Sequence, residues 1–338
     1  MRIVYVLLCV VITYGAFAQS DFESIVKGER MSAANKVAFK SNPKTLNYDI
    51  TYHKLEFTVD PALLYVSGKV STTFTALSNL DTLVFDLSNA ILVSTVKKNG
   101  VSLSYSQNMS NELLILLPAT QLAGTAATVE IEYAGTPNGS GFGSFMVSTH
   151  GNPSTPILWT LSEPFGAKDW WPCKQDLNDK IDSIDVYINA PMQYVSVSNG
   201  VEPAAPIING TQKTTHFKHK YPIPAYLIAI AVTNYQVFTQ QAGISPNNFP
   251  IVNYLYPESY TTNVSLLAET LPIMNLFETL FEAYPFRNEK YGHAQFGWGG
   301  GMEHTTVSFM GDFNRSLIAH ELAHQWFGDK ITCGTWKD

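Results

Sequence analysis

His320, Glu321 and His324 stand in the order His-Glu-Leu-Ala-His. Residues four apart share one face of a helix, so both imidazoles can reach a single metal ion while Glu321 projects beside them toward a water on that ion. Zinc is the default ion for two imidazoles on a helix, here one per chain. The chemistry on offer is hydrolysis, with Glu321 as the base. A catalytic zinc takes three protein ligands and keeps a fourth position open. The longer His-Glu-x-x-His-x-x-Gly-x-x-His pattern requires Gly at 327 and His at 330, whereas the chain has Phe327 and Lys330. The third ligand must therefore come from elsewhere.

The elements that would hold these residues can be read outward from them. A helix is expected from Arg315 to Phe327, with Asp312 and Asn314 as candidate N-caps and Gly328 as its stop. Ile318, Leu322 and Trp326 form an apolar stripe on another face, which would bury the helix and leave the histidines turned to a cleft. Ahead of it come two strand-like runs, Gly292 to Trp298 and Thr305 to Met310, with Gly299-Gly300-Gly301 between them. Thr262 to Phe281 repeats apolar residues close to the helical period, with Pro272 as an expected kink. From Leu46 to about Phe238 the pattern is that of strands. Tyr48, Ile50 and Tyr52, then Leu55, Phe57 and Val59, alternate with polar neighbours, and Asn99-Gly100 marks a hairpin. The fold class expected is α+β and multidomain: an N-terminal antiparallel β-sandwich or saddle over residues 36–238, then the start of a mainly helical zincin catalytic domain over residues 240–338.

Three segments together carry a resemblance. The run His320 to Asp329, His-Glu-Leu-Ala-His-Gln-Trp-Phe-Gly-Asp, resembles the zinc helix of the aminopeptidase N family. Gly300-Gly301-Met302-Glu303-His304 is similar to that family's Gly-x-Met-Glu-Asn exopeptidase signature, with His304 where Asn is usual. Thr160 to Pro164, followed by Trp170 to Asp176, looks like the family's Gln-x-Glu-Pro stretch, with Leu161 where Gln is common. The resemblance implies a zinc aminopeptidase whose His320 and His324 bind the metal and whose Glu321 is the catalytic base. It also implies that Glu303 and Glu163 bind the substrate's α-ammonium, and that the backbone of Gly300, Gly301 and Met302 lines the peptide. The third ligand implied is a Glu about eighteen residues beyond His324, past Asp338. On that ground the 338-residue chain is expected to stop inside its catalytic domain and to be inactive by itself. A non-enzymatic secreted short form or binding module on the same scaffold is the alternative.

The ends and the composition narrow the setting. Met1-Arg2, an apolar run to Phe17 and Ala16-Phe17-Ala18 read as a secretory signal peptide over residues 1–18. The protein is then expected to be exported, periplasmic or extracellular, with no stable membrane span after cleavage. A net charge of −7 without a long Lys/Arg block argues against nucleic acid as a partner. The partners expected are peptides with a free N-terminus. Gly139 to Gly143 has the wrong spacing for a dinucleotide fingerprint and reads as a loop. His216 and His219, among lysines, read as an exposed polar strand face.

Overall fold

A computed structural model of the chain describes residues 40–140 and 143–336. The expected leader at residues 1–18 and the first residues of the β-domain lie outside that range. The largest sheet has eight strands, with Tyr48–Val59 near its centre. That strand pairs antiparallel with Val66–Ala76 and parallel with Ser183–Pro191; the other neighbours in the sheet are antiparallel. A three-stranded sheet (Leu80–Asp86, Tyr105–Asn108, Glu112–Gln121) and a four-stranded one (Ser144–His150, Thr155–Leu161, Val195–Ser198, Ile230–Thr233) complete the β-rich part. Their inward residues share one apolar core with the large sheet.

Local chemistry explains the details. Asn99 and Gly100 both have positive φ, 52° and 77°, as a tight turn between strands Ile91–Lys98 and Val101–Ser102 requires. The alternation in Tyr48–Val59 does not run unbroken. A register shift between Ile50 and Tyr52 moves Tyr52 off the core face and turns His53 inward, fully buried. A one-residue bulge flips every side chain after it, so the expected inward Tyr52 is replaced by His53, whose Nδ1 lies 2.9 Å from Thr72 Oγ1.

A second, mixed sheet of five strands begins at Gln236–Ala242 and continues through Phe249–Leu255, Tyr291–Gln295, Ser308–Met310 and Gly301–Met302. The single helix expected over residues 262–281 is two, Tyr260–Leu266 and Thr270–Leu280, joined by a 3₁₀ turn at Leu267–Glu269. Pro272 has no N–H to offer the carbonyl of Ala268, so the helical ladder fails there. Two apolar clusters result. One gathers Ile318, Leu322 and Trp326 with the helices. The other carries Met302, Val307 and Phe309 into the core of the β-rich part.

Lys174 ties that core to the loop that follows it. Its buried ammonium meets Asp179 at 2.5 Å and the Tyr48 carbonyl at 2.7 Å, and lies 4.8 Å above the Tyr48 ring. Removing one member of a buried pair strands the other charge, so Asp179→Ala is expected to lose about 3–5 kcal/mol, read from urea unfolding. The double variant Lys174→Met, Asp179→Leu should recover most of that loss. Equal instability of the single and double variants would show that the stranded charge is not the cause.

Candidate metal centre and peptide-binding edge

The helix Arg315–His324 starts at Asn314, whose Oδ1 accepts the N–H of Leu317 at 2.9 Å. Asn314, of the two candidates, is therefore the N-cap. Leu317, Ile318, Leu322 and, just past the helix, Trp326 are buried. Trp326 also donates its indole N–H to the Glu282 carbonyl at 3.1 Å. The helix ends at His324, three residues before the expected Phe327. The chain turns at Gly328, φ 149°, whose N–H reaches the Ile331 carbonyl at 2.9 Å.

With the apolar face anchored, His320 and His324 stand half-buried on the other side. Their Nε2 atoms are 3.2 Å apart and their ring planes cross at 90°. Two imidazoles on one tetrahedral zinc, with Zn–N bonds of about 2.0–2.1 Å, hold their nitrogens about 3.3 Å apart. The pair therefore fits a shared zinc ion. The Nδ1 of His324 lies 3.1 Å from the Phe327 carbonyl, an acceptor only, so Nδ1 carries the proton and Nε2 keeps its lone pair for a metal. Among the described residues no group of three His, Cys, Asp or Glu side chains gathers to hold a metal.

Glu321 is buried and lies against the main chain of Gly301. A Cβ at position 301 would stand 2.1 Å from Glu321 Oε1, so this glycine makes room for the carboxylate. Gly301 and Met302 form the edge strand of the five-stranded sheet, antiparallel to Ser308–Met310. The Gly300 carbonyl accepts from Gly311 N at 2.7 Å. Among the described residues the other side of that edge strand has no partner strand, which is where an extended peptide can add.

Glu303, next along, and Glu163, just beyond strand Thr155–Leu161, are both buried. Trp170 fixes the second stretch by donating its indole N–H to Ser162 Oγ at 3.0 Å. Both carboxylates bear on the buried Tyr226 phenol. Burial first, then the charges of Glu303, Asp329 and Glu163, push that phenol well above its ordinary pKa. Asp329 is itself buried, and burial together with the Glu303 charge drives its carboxyl far above the usual range. His304 is fully enclosed, 4.4 Å edge-on from Phe309, and burial pushes its pKa down to about 3.

Strand Gln212–His219 corrects the reading of its histidines. Only His216 faces outward, 2.5 Å from Asp185 Oδ1 and stacked on Tyr187. His219 is fully buried with Nδ1 2.6 Å from Glu289 Oε2, so it joins the β-rich part to the segment leading into Tyr291–Gln295. Sequence reasoning also passed over Gln325, Asn199, Tyr226 and Asp329. Gln325 is fully buried, with Nε2 donating to the Glu303 carbonyl at 3.2 Å and Oε1 accepting from Thr306 N at 2.9 Å. A polar amide beside an apolar stripe was its one visible signal. Asn199, in Ser198-Asn199-Gly200, carries only a turn signal.

The arrangement sets a paired-histidine helix beside the edge strand of a mixed sheet. Residues 44–227 match the Peptidase M1 N-terminal domain and residues 303–338 match the Peptidase family M1 domain. The chain belongs to the M1 peptidase family. It is similar to glutamyl aminopeptidase of Mus musculus, 26% identical over an alignment of 251 positions that covers 67% of this chain and 26% of the relative. Endoplasmic reticulum aminopeptidase 2 of Bos taurus is 25% identical over 323 residues, 87% of this chain and 33% of the relative. The chain thus spans about a quarter to a third of the length of these relatives. The M1 zinc metallopeptidase from Deinococcus radiodurans shares the fold, with a TM-score of 0.74 at 24% identity, over 86% of this chain and 67% of that one. No helix among the described residues is long and apolar enough to cross a membrane.

His53, His293 and His304 are all buried, and burial lowers each pKa from 6.5 to about 3. The unfolded chain takes up these protons as the pH falls below 6.5 and the folded chain does not until about 3. Their stability contribution is whole above the unfolded pKa and is lost on acidification through that window. The unfolding free energy from urea titration is expected to fall between about pH 7 and pH 5, by at most about 1.4 kcal/mol per pH unit for each histidine. His53→Gln should flatten that slope; an unchanged slope would mean that His53 is charged in the folded state.

Proposed function

We propose that this protein is a zinc-dependent aminopeptidase that removes N-terminal residues from peptides. The observation that carries this reading is the Nε2 pair of His320 and His324, 3.2 Å apart, beside a buried Glu321 and an edge strand that runs into Glu303. His320 and His324 would hold the ion, with the third ligand supplied from outside residues 1–338. A zinc ion held there lowers the pKa of water and polarises a carbonyl.

The chain's own residues do the rest. Glu321, held against Gly301, takes the proton of the attacking water and passes it to the leaving amine. The main chain of Gly300, Gly301 and Met302 receives the substrate as an added strand. Glu303 and Glu163 bind its ammonium, and an internal peptide segment brings no charge to answer them. The tripeptide Tyr-Ser-Ala bound to a variant of the Deinococcus radiodurans enzyme supports peptides as the substrate class. We further propose export by way of the leader at residues 1–18, to the periplasm or the extracellular space. The neutral His304 holds its place in the loop without adding a charge beside Glu303.

The test is the ratio of kcat/KM for a free and an N-acetylated form of one short peptide, measured with the full-length protein. A large ratio is expected, and Glu303→Gln should reduce it while zinc content stays unchanged. A desolvated carboxylate–ammonium pair is worth about 2–5 kcal/mol when one member is neutralised. A wild-type ratio near one would remove the exopeptidase reading. Residues 1–338 alone should bind zinc weakly, since two imidazoles leave the site short of a ligand.

Gly301 offers a separate check on Glu321. Gly301→Ala is expected to displace the Glu321 carboxylate and lower turnover about a hundredfold, the scale of a misplaced reacting group, with zinc still bound. Turnover equal to wild type would mean that Glu321 does not need its place against Gly301.

A further inference from the structure

Residues 303–306 are gripped from both sides by buried carboxamides. From the zinc-binding helix's end, Gln325 donates to the Glu303 carbonyl and accepts from Thr306 N, at 3.2 and 2.9 Å. From the β-rich part, Asn199 donates to the Thr305 carbonyl at 2.8 Å and the Leu227 carbonyl at 2.9 Å, and accepts from Ala229 N at 2.9 Å. The neighbouring Gly200 N–H reaches Thr306 Oγ1 at 2.8 Å. Asn199, Gln325 and Thr306 are all fully buried.

Thr306 sits at φ +70°. A β-branched residue in that region is strained, and such strain persists only where the surroundings over-determine it. Here the Thr306 N–H, its hydroxyl and the preceding carbonyl are each taken by a buried partner, two of them from the β-rich part. Each of these bonds is buried, so losing one leaves its partner unsatisfied and frees the loop to leave its strained conformation. The residue displaced would be Glu303, whose own carbonyl lies in the same grip.

We propose that Asn199 is a positioning residue for amine recognition: through Thr305 and Thr306 it fixes where Glu303 presents its carboxylate, which makes the contact between the two parts of the chain a component of exopeptidase selectivity. This rests on the aminopeptidase reading above. Asn199 touches neither substrate nor metal. It acts through the loop.

The experiment compares wild type, Asn199→Asp and Thr306→Val in the full-length protein. Asn199→Asp keeps the shape and the acceptor but loses both donated bonds; Thr306→Val keeps both carboxamides and loses only the Gly200 link, so it stays informative if the first variant folds poorly. The first readout is hydrogen exchange of residues 303–306 in zinc-free protein, expected to quicken in both variants. The second is kinetic. For a free-amine peptide KM should rise about tenfold in Asn199→Asp and about threefold in Thr306→Val, the range for one or two lost buried hydrogen bonds. The N-acetylated peptide, which has no ammonium, should keep its kcat/KM, and zinc content should not change. Equal losses for the free and acetylated peptides would reduce Asn199 to a structural role and overturn the proposal. An unchanged ratio despite quickened exchange would overturn it too. A wild type that does not distinguish the two peptides would instead remove the aminopeptidase reading on which the proposal stands.

Discussion

Two imidazoles four residues apart meet at a common point only when the opposite face of their helix is held still. In this chain that restraint is the burial of Ile318, Leu322 and Trp326 against the helix Thr270–Leu280 and the five-stranded sheet. Trp326 is pinned twice, by packing among Phe277, Phe281 and Tyr284 and by its indole bond to the Glu282 carbonyl. Each fully buried side chain of this size contributes about 1.5–3 kcal/mol of transfer free energy, more than the rotation of a short surface helix can oppose. The apolar stripe thereby sets the direction of the polar one. Glu321 falls between the two stripes, which is why it is buried while the histidines on either side stay half-open.

The second constraint is the glycine backbone that faces this helix. A carboxylate can be buried at the edge of a sheet only if the strand beside it offers no side chain in the same space. Gly301 meets that condition, since its missing Cβ is where Glu321 Oε1 lies. The main chain of Gly301–Met302, at the sheet's edge, is where another strand can add. One short strand therefore serves the proposed base on its face and the proposed substrate path along its edge. Met302, immediately after it, is buried in the β-rich core, and it anchors the edge strand before the buried loop that begins at Glu303.

The legible parts of the molecule are those whose signal is local. The helix Arg315–His324, its stripe, the Asn99-Gly100 turn and the strand character of residues 46–238 follow from periodicity and turn chemistry within a few residues. Where the reading departed from the structure, the cause was nonlocal or cumulative. The bulge near Thr51 changes which of Tyr52 and His53 faces the core, and a pattern of alternation has no means to show a skipped residue. His219 sits among lysines yet pairs with Glu289, seventy positions away. Glu163 alone would read as a solvated loop residue, yet it is buried beside Ser162, which Trp170 holds from eight residues away.

Asn199 marks the limit of local reading most clearly, and it also connects the two parts of the chain. Its bonds to Thr305 and, through Gly200, to Thr306 cross a separation of 106 residues, in a segment whose sequence announces nothing more than a turn. Three further links follow the same division. His219 meets Glu289, Lys290 donates to the Ser198 carbonyl at 3.1 Å, and Lys180 donates to the carbonyls of Asp329 and Lys330 at 2.9 and 3.0 Å. Every one of them joins the β-rich part either to the loop that carries Glu303 or to a segment next to the helix Arg315–His324 or the strand Tyr291–Gln295. The Lys180 bonds lie nearer the surface, whereas the His219 and Lys290 bonds are buried, and buried polar bonds cost desolvation wherever they are placed and stabilise only when their geometry is met. Their concentration here restricts the two parts to one relative placement, in which Glu163 is buried on the β-rich side and Glu303 is buried in the loop that Asn199 and Gln325 hold.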